Sequence, residues 1–482
     1  MRFKIIEVPL QKIADSLAKI RTRHIILGIS LLGLFFRVMN LGSKSLWLDE
    51  AFNVAVAKSG IKALWTQTVE THHPPLHFIL QRFWMRFGES EIWLRMLPAL
   101  FGASAIPLIY IFIKKLGRKD AAITAMGLVA FSPLLIWYSQ EARPYSFIVA
   151  IGLAAMTTAL LLFLKPKPMT ASLFIIIMIA AFYTHYEMIF LIPLQAYLLI
   201  FLVAKKKSGI RAFIYWLVGV LLAGLAFSPW LRTPAARSFL AVLKTGSYPG
   251  QILASKLGMK PQILVLILAA TALAVLSIGA YCFRILLKKS WFEKALNHGG
   301  VRIDIVLFAV MAVLLIASVI PRGYSIKKQI VLFVPYGLLL IGLLWPWEAR
   351  HRKKIVAVFC FSIICSLINI FAIPKDDWRQ VVDFLGKEYR AGDVILLLPS
   401  YNSFPFEYYS RGKLPSEGID LDSYEHKIEA LRSDTQRIWL VSNREAFIDP
   451  EGKIRTSLVQ IVTTVKSVSY YRVQIDLFEP KR

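Results

Sequence analysis

Apolar stretches of roughly 17 to 25 residues recur eleven times along this 482-residue chain, and each is long enough to cross a hydrocarbon core about 30 Å thick. They run near 24–41, 95–113, 120–138, 145–164, 169–184, 187–203, 212–231, 262–287, 303–320, 329–345 and 355–373. A backbone inside lipid must satisfy its own hydrogen bonds, so these stretches predict helices and an α-helical polytopic membrane protein. Composition agrees, since 56% of the residues are apolar and only 18% charged, outside the range of soluble domains.

The charges divide the chain near Pro374. Residues 1–374 carry 41 of the 57 Lys and Arg but only 13 of the 30 Asp and Glu, a net of +28, whereas residues 375–482 have a net of −1. A transmembrane domain over 1–374, with a long loop at 42–94, is therefore expected to precede a small soluble domain over 375–482. Short cytoplasmic loops retain Lys and Arg. The arm before Arg23, Lys114 to Lys119, Lys165-Pro166-Lys167, Lys205 to Arg211, Lys288 to Arg302 and Arg350 to Lys354 are accordingly assigned to the cytoplasm. The opposite face then holds 42–94, the Ser139–Pro144 turn, 232–261, the Pro321–Lys328 turn and the C-terminal domain. No small-residue cleavage site follows the first span, which reads as an uncleaved anchor in the cell (inner or plasma) membrane with a cytoplasmic N-terminus. Cys282, Cys360 and Cys365 all fall in spans, so no disulfide framework is implied. The net charge of +27 sits mainly in cytoplasmic linkers, where membrane lipid headgroups are partner enough and nucleic acid is not required.

In the C-terminal region Asp377–Tyr389 and Tyr424–Leu431 have helical spacing, Val394–Leu398 and Ile438–Val441 are compact strand-like runs, and Val459–Phe478 reads as a terminal hairpin. That predicts a small α/β domain without a nucleotide fingerprint or metal cluster.

Acids mark the external face. Asp49, Glu50, Glu70, Glu89, Glu91, Glu141 and Glu187 are seven of the thirteen acids in the membrane half, and all fall outside. The adjacent pair in Trp47-Leu48-Asp49-Glu50 opens an amphipathic segment, Ile61–Val69 could form another helix, and His72-His73-Pro74-Pro75-Leu76-His77 follows. A lone acid here would be read as a helix N-terminal residue. The consecutive prolines break any helix across the histidines and start a new one near Pro74 or Pro75, spoiling the spacing of a helical zinc site. Trp47, Trp65, Trp84 and Trp93 suit an interfacial belt. The turn Ser139-Gln140-Glu141-Ala142-Arg143-Pro144-Tyr145 and the segment Tyr183-Thr184-His185-Tyr186-Glu187 bring further carboxylates to the same side, and ionisable groups at a membrane boundary are functional candidates. Arg37, Arg322, Lys327 and Lys328 lie there against the positive-inside bias. Phosphate is the economical anion to hold them, because Arg grips it bidentately and Lys as a point charge.

Trp47-Leu48-Asp49-Glu50, His73-Pro74-Pro75-Leu76, Arg95 with Pro98-Ala99-Leu100-Phe101-Gly102, Ser139 to Tyr145 and Lys328 to Pro335 together resemble the membrane glycosyltransferases of the GT-C superfamily, in the family 39 branch of protein O-mannosyltransferases and aminoarabinose transferases. The resemblance implies a GT-C fold with about eleven transmembrane helices. It also implies transfer of a sugar, with inversion, from a polyprenyl-phosphate donor to a protein, lipid or envelope-glycan acceptor at the external face. Asp49 matches the catalytic acid position, with Glu50 beside it. Arg143 and Lys328 are assigned to the donor phosphate, with Arg37, Arg322 and Lys327 as competitors, and His73, Glu141, Tyr145, His185 and Arg95 to substrate. His72-His73 replaces the Glu-Lys typical of the aminoarabinose branch, which argues against a lipid A acceptor. No Asp-Xaa-Asp pair is present, so no cofactor is expected to be required, although a divalent cation is compatible with the reading. The competing function is a transporter or flippase of a lipid-linked saccharide, for which related halves and discontinuous mid-membrane helices would be the sign; neither is found.

Overall fold

In a computed structural model of the chain, residues 21–70, 73–234, 346–431, 437–443, 445 and 449–480 are described. The expected spans 262–287, 303–320 and 329–345, together with Cys282, lie outside the described residues, and so do His72, Arg322, Lys327 and Lys328. The remaining eight spans all fall on helices. Among the described residues Glu91–Lys115, Tyr145–Leu164, Tyr186–Val203, Ile210–Leu231 and Ala349–Ala372 are long and apolar enough to cross a membrane, and the protein is an integral membrane protein. Thr22–Val38 and Pro168–Thr184 have 17 residues each. The described residues divide into two compact units, one of those within 1–39, 61–80 and 95–369 and the other of those within 40–60, 81–94 and 370–482.

The expected single span 120–138 is two helices, Lys119–Phe131 and Pro133–Ser139, meeting at 54°. Pro133 has no N–H to donate and its ring blocks continuation of the first helix. Ser132 then caps the second, its Oγ accepting from the Leu135 N–H at 3.4 Å. Lys119–Phe131 is buried from Ala121 to Phe131. The Phe359 ring of Ala349–Ala372 packs where a Cβ on Gly127 would lie, so this helix approach depends on glycine. Tyr145–Leu164 is likewise almost wholly buried and packs against Pro168–Thr184, Leu191–Ala204 and Ile210–Leu231.

The second unit contains the C-terminal α/β fold. Strands β1 (Val394–Leu398), β2 (Glu417–Gly418), β3 (Ile438–Asn443), β4 (Val462–Tyr470) and β5 (Val473–Pro480) form one sheet in the order β2-β1-β3-β5-β4. β1 runs parallel to β2 and β3, and β5 is antiparallel to β3 and β4. Both faces of β1 are buried: Ile395 and Leu397 pack with Trp378, Val381, Leu385 and Trp439, while Leu396 and Leu398 pack with Leu440, Ile454, Leu458 and Phe478. Helices covering both faces explain why these strands are continuous apolar runs rather than alternating ones. Trp378–Glu388 presents Trp378, Val381, Val382 and Leu385 as its buried stripe, each contributing about 1.5–3 kcal/mol on burial.

The terminal hairpin starts three residues later than the pattern suggests. Val459 to Ile461 belong to a helix, Lys453–Ile461. Asp449 nucleates it, its two carboxylate oxygens accepting from the N–H groups of Lys453 and Ile454 at 2.9 Å, and Gly452 supplies a left-handed φ of 63°.

Candidate functional site

The acidic pair lies in the second unit, in the first turn of helix Leu48–Lys58, where carboxylates complement the helix dipole. The N–H groups of Glu50 and Ala51 both donate to the Trp47 carbonyl at 3.0 Å, so Trp47 begins the helix without a side-chain cap. The two carboxylates have different surroundings. Asp49 is half-buried, whereas Glu50 is 0% exposed and faces the Lys375 ammonium at 3.1 Å, itself 8% exposed. Lys375 did not emerge from the sequence; its signal is a lone cation directly after the last span, in Pro374-Lys375-Asp376-Asp377.

Further contacts fix this segment. The Leu46 N–H donates to the Tyr409 hydroxyl at 2.7 Å, and that hydroxyl donates to Glu91 at 2.8 Å. Arg379 donates to Glu91 at 2.6 Å and to the Gly42 carbonyl at 3.0 Å. Trp84 and Trp93 stack at 4.5 Å, and each indole N–H donates to the other's carbonyl at 2.8 and 2.9 Å. That closes the turn between helices Leu76–Met85 and Glu91–Lys115.

The cationic and histidine groups lie in the first unit. A bond of 2.7 Å from the Arg143 N–H to the Glu141 carbonyl makes a three-residue turn ahead of helix Tyr145–Leu164. Glu141, Arg143 and Tyr145 are all buried. Arg143 donates to the Tyr145 hydroxyl at 3.3 Å, and Tyr138 sits within electrostatic reach of Tyr145, Glu141 and Arg143. His77, buried on helix Leu76–Met85, packs edge-on against Phe147 at 4.9 Å. Burial first, then the nearby Arg143 and His73 charges, push its pKa down to about 3, so it is neutral at physiological pH. His73, His77, Tyr138, Glu141, Arg143 and Tyr145 thus form one polar cluster. His77 was legible in the His-His-Pro-Pro-Leu-His run but was not among the expected site residues.

Arg37 is held by backbone carbonyls. Its guanidinium, fully buried, donates to the carbonyls of Gly33 and Ala130 at 2.8 Å and of Val129 at 2.9 Å. Gln140 reciprocates by donating to the carbonyls of Phe36 and Met39 at 3.0 and 2.8 Å. Arg37, Gly102, Tyr138, Ser139, Tyr145 and Ser146 also line a small cavity. Arg95 is buried on Glu91–Lys115. His185 starts a 3₁₀ turn, its Nδ1 accepting from the Glu187 N–H at 3.3 Å and lying 3.9 Å from the buried Glu187 carboxylate. Next to it Trp230 donates to the Tyr186 hydroxyl at 3.0 Å and meets Trp65 edge-on. Among the described residues no group of three or more His, Cys, Asp or Glu side chains is placed to hold a metal ion.

Residues 72–232 match the sequence model of the family described as dolichyl-phosphate-mannose-protein mannosyltransferase. With the apolar helices, that match defines the chain as an integral membrane glycosyltransferase. The matched segment spans the His-Pro-Pro motif, Arg95, the Glu141–Arg143 turn and His185, so the resemblance carried by those residues is to this mannosyltransferase family. No curated protein matches the chain. Solved structures similar in fold include the apo form of ArnT from Cupriavidus metallidurans, at 12% identity and a TM-score of 0.48, covering 94% of this chain and 97% of that one. An oligosaccharyltransferase from Archaeoglobus fulgidus in complex with zinc and sulfate is 12% identical with a TM-score of 0.47, covering 88% and 68%. The arabinofuranosyltransferase AftD from Mycobacteria is 13% identical with a TM-score of 0.46, covering 96% and 40%.

Proposed function

We propose that this protein is an inverting glycosyltransferase that moves a sugar from a polyprenyl-phosphate donor to an acceptor hydroxyl at the external face of the cell membrane. The observation that carries the reading is the family match over residues 72–232, because that family's name specifies a dolichyl-phosphate sugar as donor. The charge asymmetry of the loops supports a cytoplasmic N-terminus and an extracytoplasmic region after Pro374.

Asp49 takes the proton of the acceptor hydroxyl, a role suited to a half-buried carboxylate. The acceptor oxygen forms its bond to the anomeric carbon as the bond from that carbon to the phosphate oxygen breaks, and the electron pair leaves with the polyprenyl phosphate. Arg143 stabilises the charge that grows on the departing phosphate, together with Lys328. Neutral His77 and the hydroxyls of Tyr138 and Tyr145 add hydrogen-bonding groups in the cluster around Arg143, and His73, Glu141, Arg95 and His185 are assigned to substrate. No metal is assigned a role.

The test is product analysis with the full-length protein in lipid nanodiscs and radiolabelled polyprenyl-phosphate mannose. Release of free polyprenyl phosphate with inversion at the anomeric carbon is the expected result. Movement of intact donor across a vesicle membrane without cleavage would establish a flippase and overturn the proposal.

A further inference from the structure

Glu50 and Lys375 are separated by 325 positions yet form a buried ion pair inside one compact unit. Lys375 is held from behind. Asp376 accepts from the Asn443 side chain at 3.1 Å at the end of β3 and faces Arg472 at 3.7 Å. Asp377 donates its N–H to the Tyr471 carbonyl at 3.3 Å, accepts from the Gln380 N–H, and accepts from the Ser45 hydroxyl at 3.2 Å. Trp378 then enters the core of the α/β fold at 0% exposure. Helix Leu48–Lys58 packs on helix Ser403–Ser410 of the same unit, with Phe52 edge-on to Phe404 at 5.1 Å.

Asp49 and Glu50 are consecutive carboxylates in the first turn of one helix, one half-buried and one fully buried. Helix Ser403–Ser410, which packs on Leu48–Lys58, carries Glu407, Tyr408 and Tyr409, and Lys375 is followed in the chain by Asp376, Asp377 and Arg379. Lys375 supplies the cation at ion-pair distance from Glu50.

Resting on the assignment of Asp49 as the base, we infer that Lys375 is a positioning residue for sugar transfer: its ammonium holds Glu50 ionised and fixed, so that proton exchange with the acceptor falls to Asp49. The residues after Pro374 thereby take part in building the acidic turn rather than forming an appendage to it.

Infrared spectra of full-length wild type, K375M and E50Q/K375M at neutral pH test the electrostatic half without needing turnover. K375M is expected to show the C=O stretch of a protonated carboxyl that wild type lacks and that E50Q/K375M loses; identical carboxyl bands in wild type and K375M overturn the inference. With polyprenyl-phosphate mannose as donor, K375M is expected to lower kcat about 10- to 100-fold with little change in KM, and K375R to recover most of it. A folded K375M with wild-type kcat overturns the inference even where Asp49→Asn is inactive, whereas an active Asp49→Asn overturns the assigned base and leaves the infrared result standing. Should K375M fail to fold, E50Q and E50Q/K375M carry the test. E50Q removes a negative charge adjacent to Asp49 in the chain while leaving the Lys375 ammonium, which moves the acidic limb of the pH–rate profile down; the double substitution moves it back up, and coincident limbs overturn the inference.

Discussion

Arg37 donates to the carbonyl oxygen of Ala130 at 2.8 Å, tying the first helix to the last turn of Lys119–Phe131 just before the Pro133 break. A helix ending at proline leaves its last carbonyls without intrahelical partners, and here Arg37 takes those of Val129 and Ala130. Gln140 returns the arrangement by taking the carbonyls of Phe36 and Met39 at the end of Thr22–Val38. The two ends cap each other immediately before the Glu141–Arg143 turn.

Replacing Arg37 with Met should therefore destabilise the protein rather than selectively weaken donor binding. Buried carbonyls left without donors cost about 1–3 kcal/mol each, so the two at Val129 and Ala130 predict a loss of at least about 2 kcal/mol. Thermal unfolding in detergent measures it. A variant with wild-type Tm but a much raised KM for the donor would instead return Arg37 to the phosphate.

Gly102 faces the same region. A Cβ there would overlap Ser139 Oγ and sit 3.1 Å from Arg37 Nε. Gly102→Ala should cost about 1–3 kcal/mol by overpacking and lower activity by displacing the turn that carries Arg143. Gly224→Ala, where a Cβ meets open space, is the control and should leave Tm unchanged or slightly raised. Equal Tm for the two variants would contradict the packing.

His77 makes stability depend on pH. Its folded pKa, near 3, lies below the usual value of about 6.5, so the unfolded chain binds the extra proton between those values. Its contribution is complete above about pH 6.5 and is lost progressively as the pH falls towards 3. Between pH 6.5 and 5 the loss should be roughly 1.5 kcal/mol. Unfolding of His77→Gln over the same interval should be flatter by that amount, and parallel curves for variant and wild type would rule the buried neutral histidine out.

How far the sequence could carry these assignments varies by residue. Spans such as Tyr145–Leu164 were legible because lipid demands a continuous apolar helix, and β1 and β3 because a strand covered on both faces is apolar throughout. Asp49 and Glu50 stood out as acids in an apolar setting. The partner of Glu50 did not, because Lys375 lies 325 residues away in the chain. Arg37 was visible as a misplaced cation and suggested an anion. Its observed partners are backbone carbonyls, which no sequence pattern records. The Lys453–Ile461 helix was hidden because Val459 and Ile461 fit strand alternation equally well, and Asp449 with Gly452 was the available sign.

The assignment of Asp49 as the group that removes the acceptor proton while polyprenyl phosphate leaves is open to direct measurement. The most direct measurement is the rate of free polyprenyl phosphate release from radiolabelled polyprenyl-phosphate mannose by purified wild type and Asp49→Asn, with Tm and donor affinity followed in parallel. A fall in kcat of about 10²- to 10⁴-fold at unchanged Tm and donor affinity is expected. Undiminished release by the folded Asp49→Asn protein would contradict it.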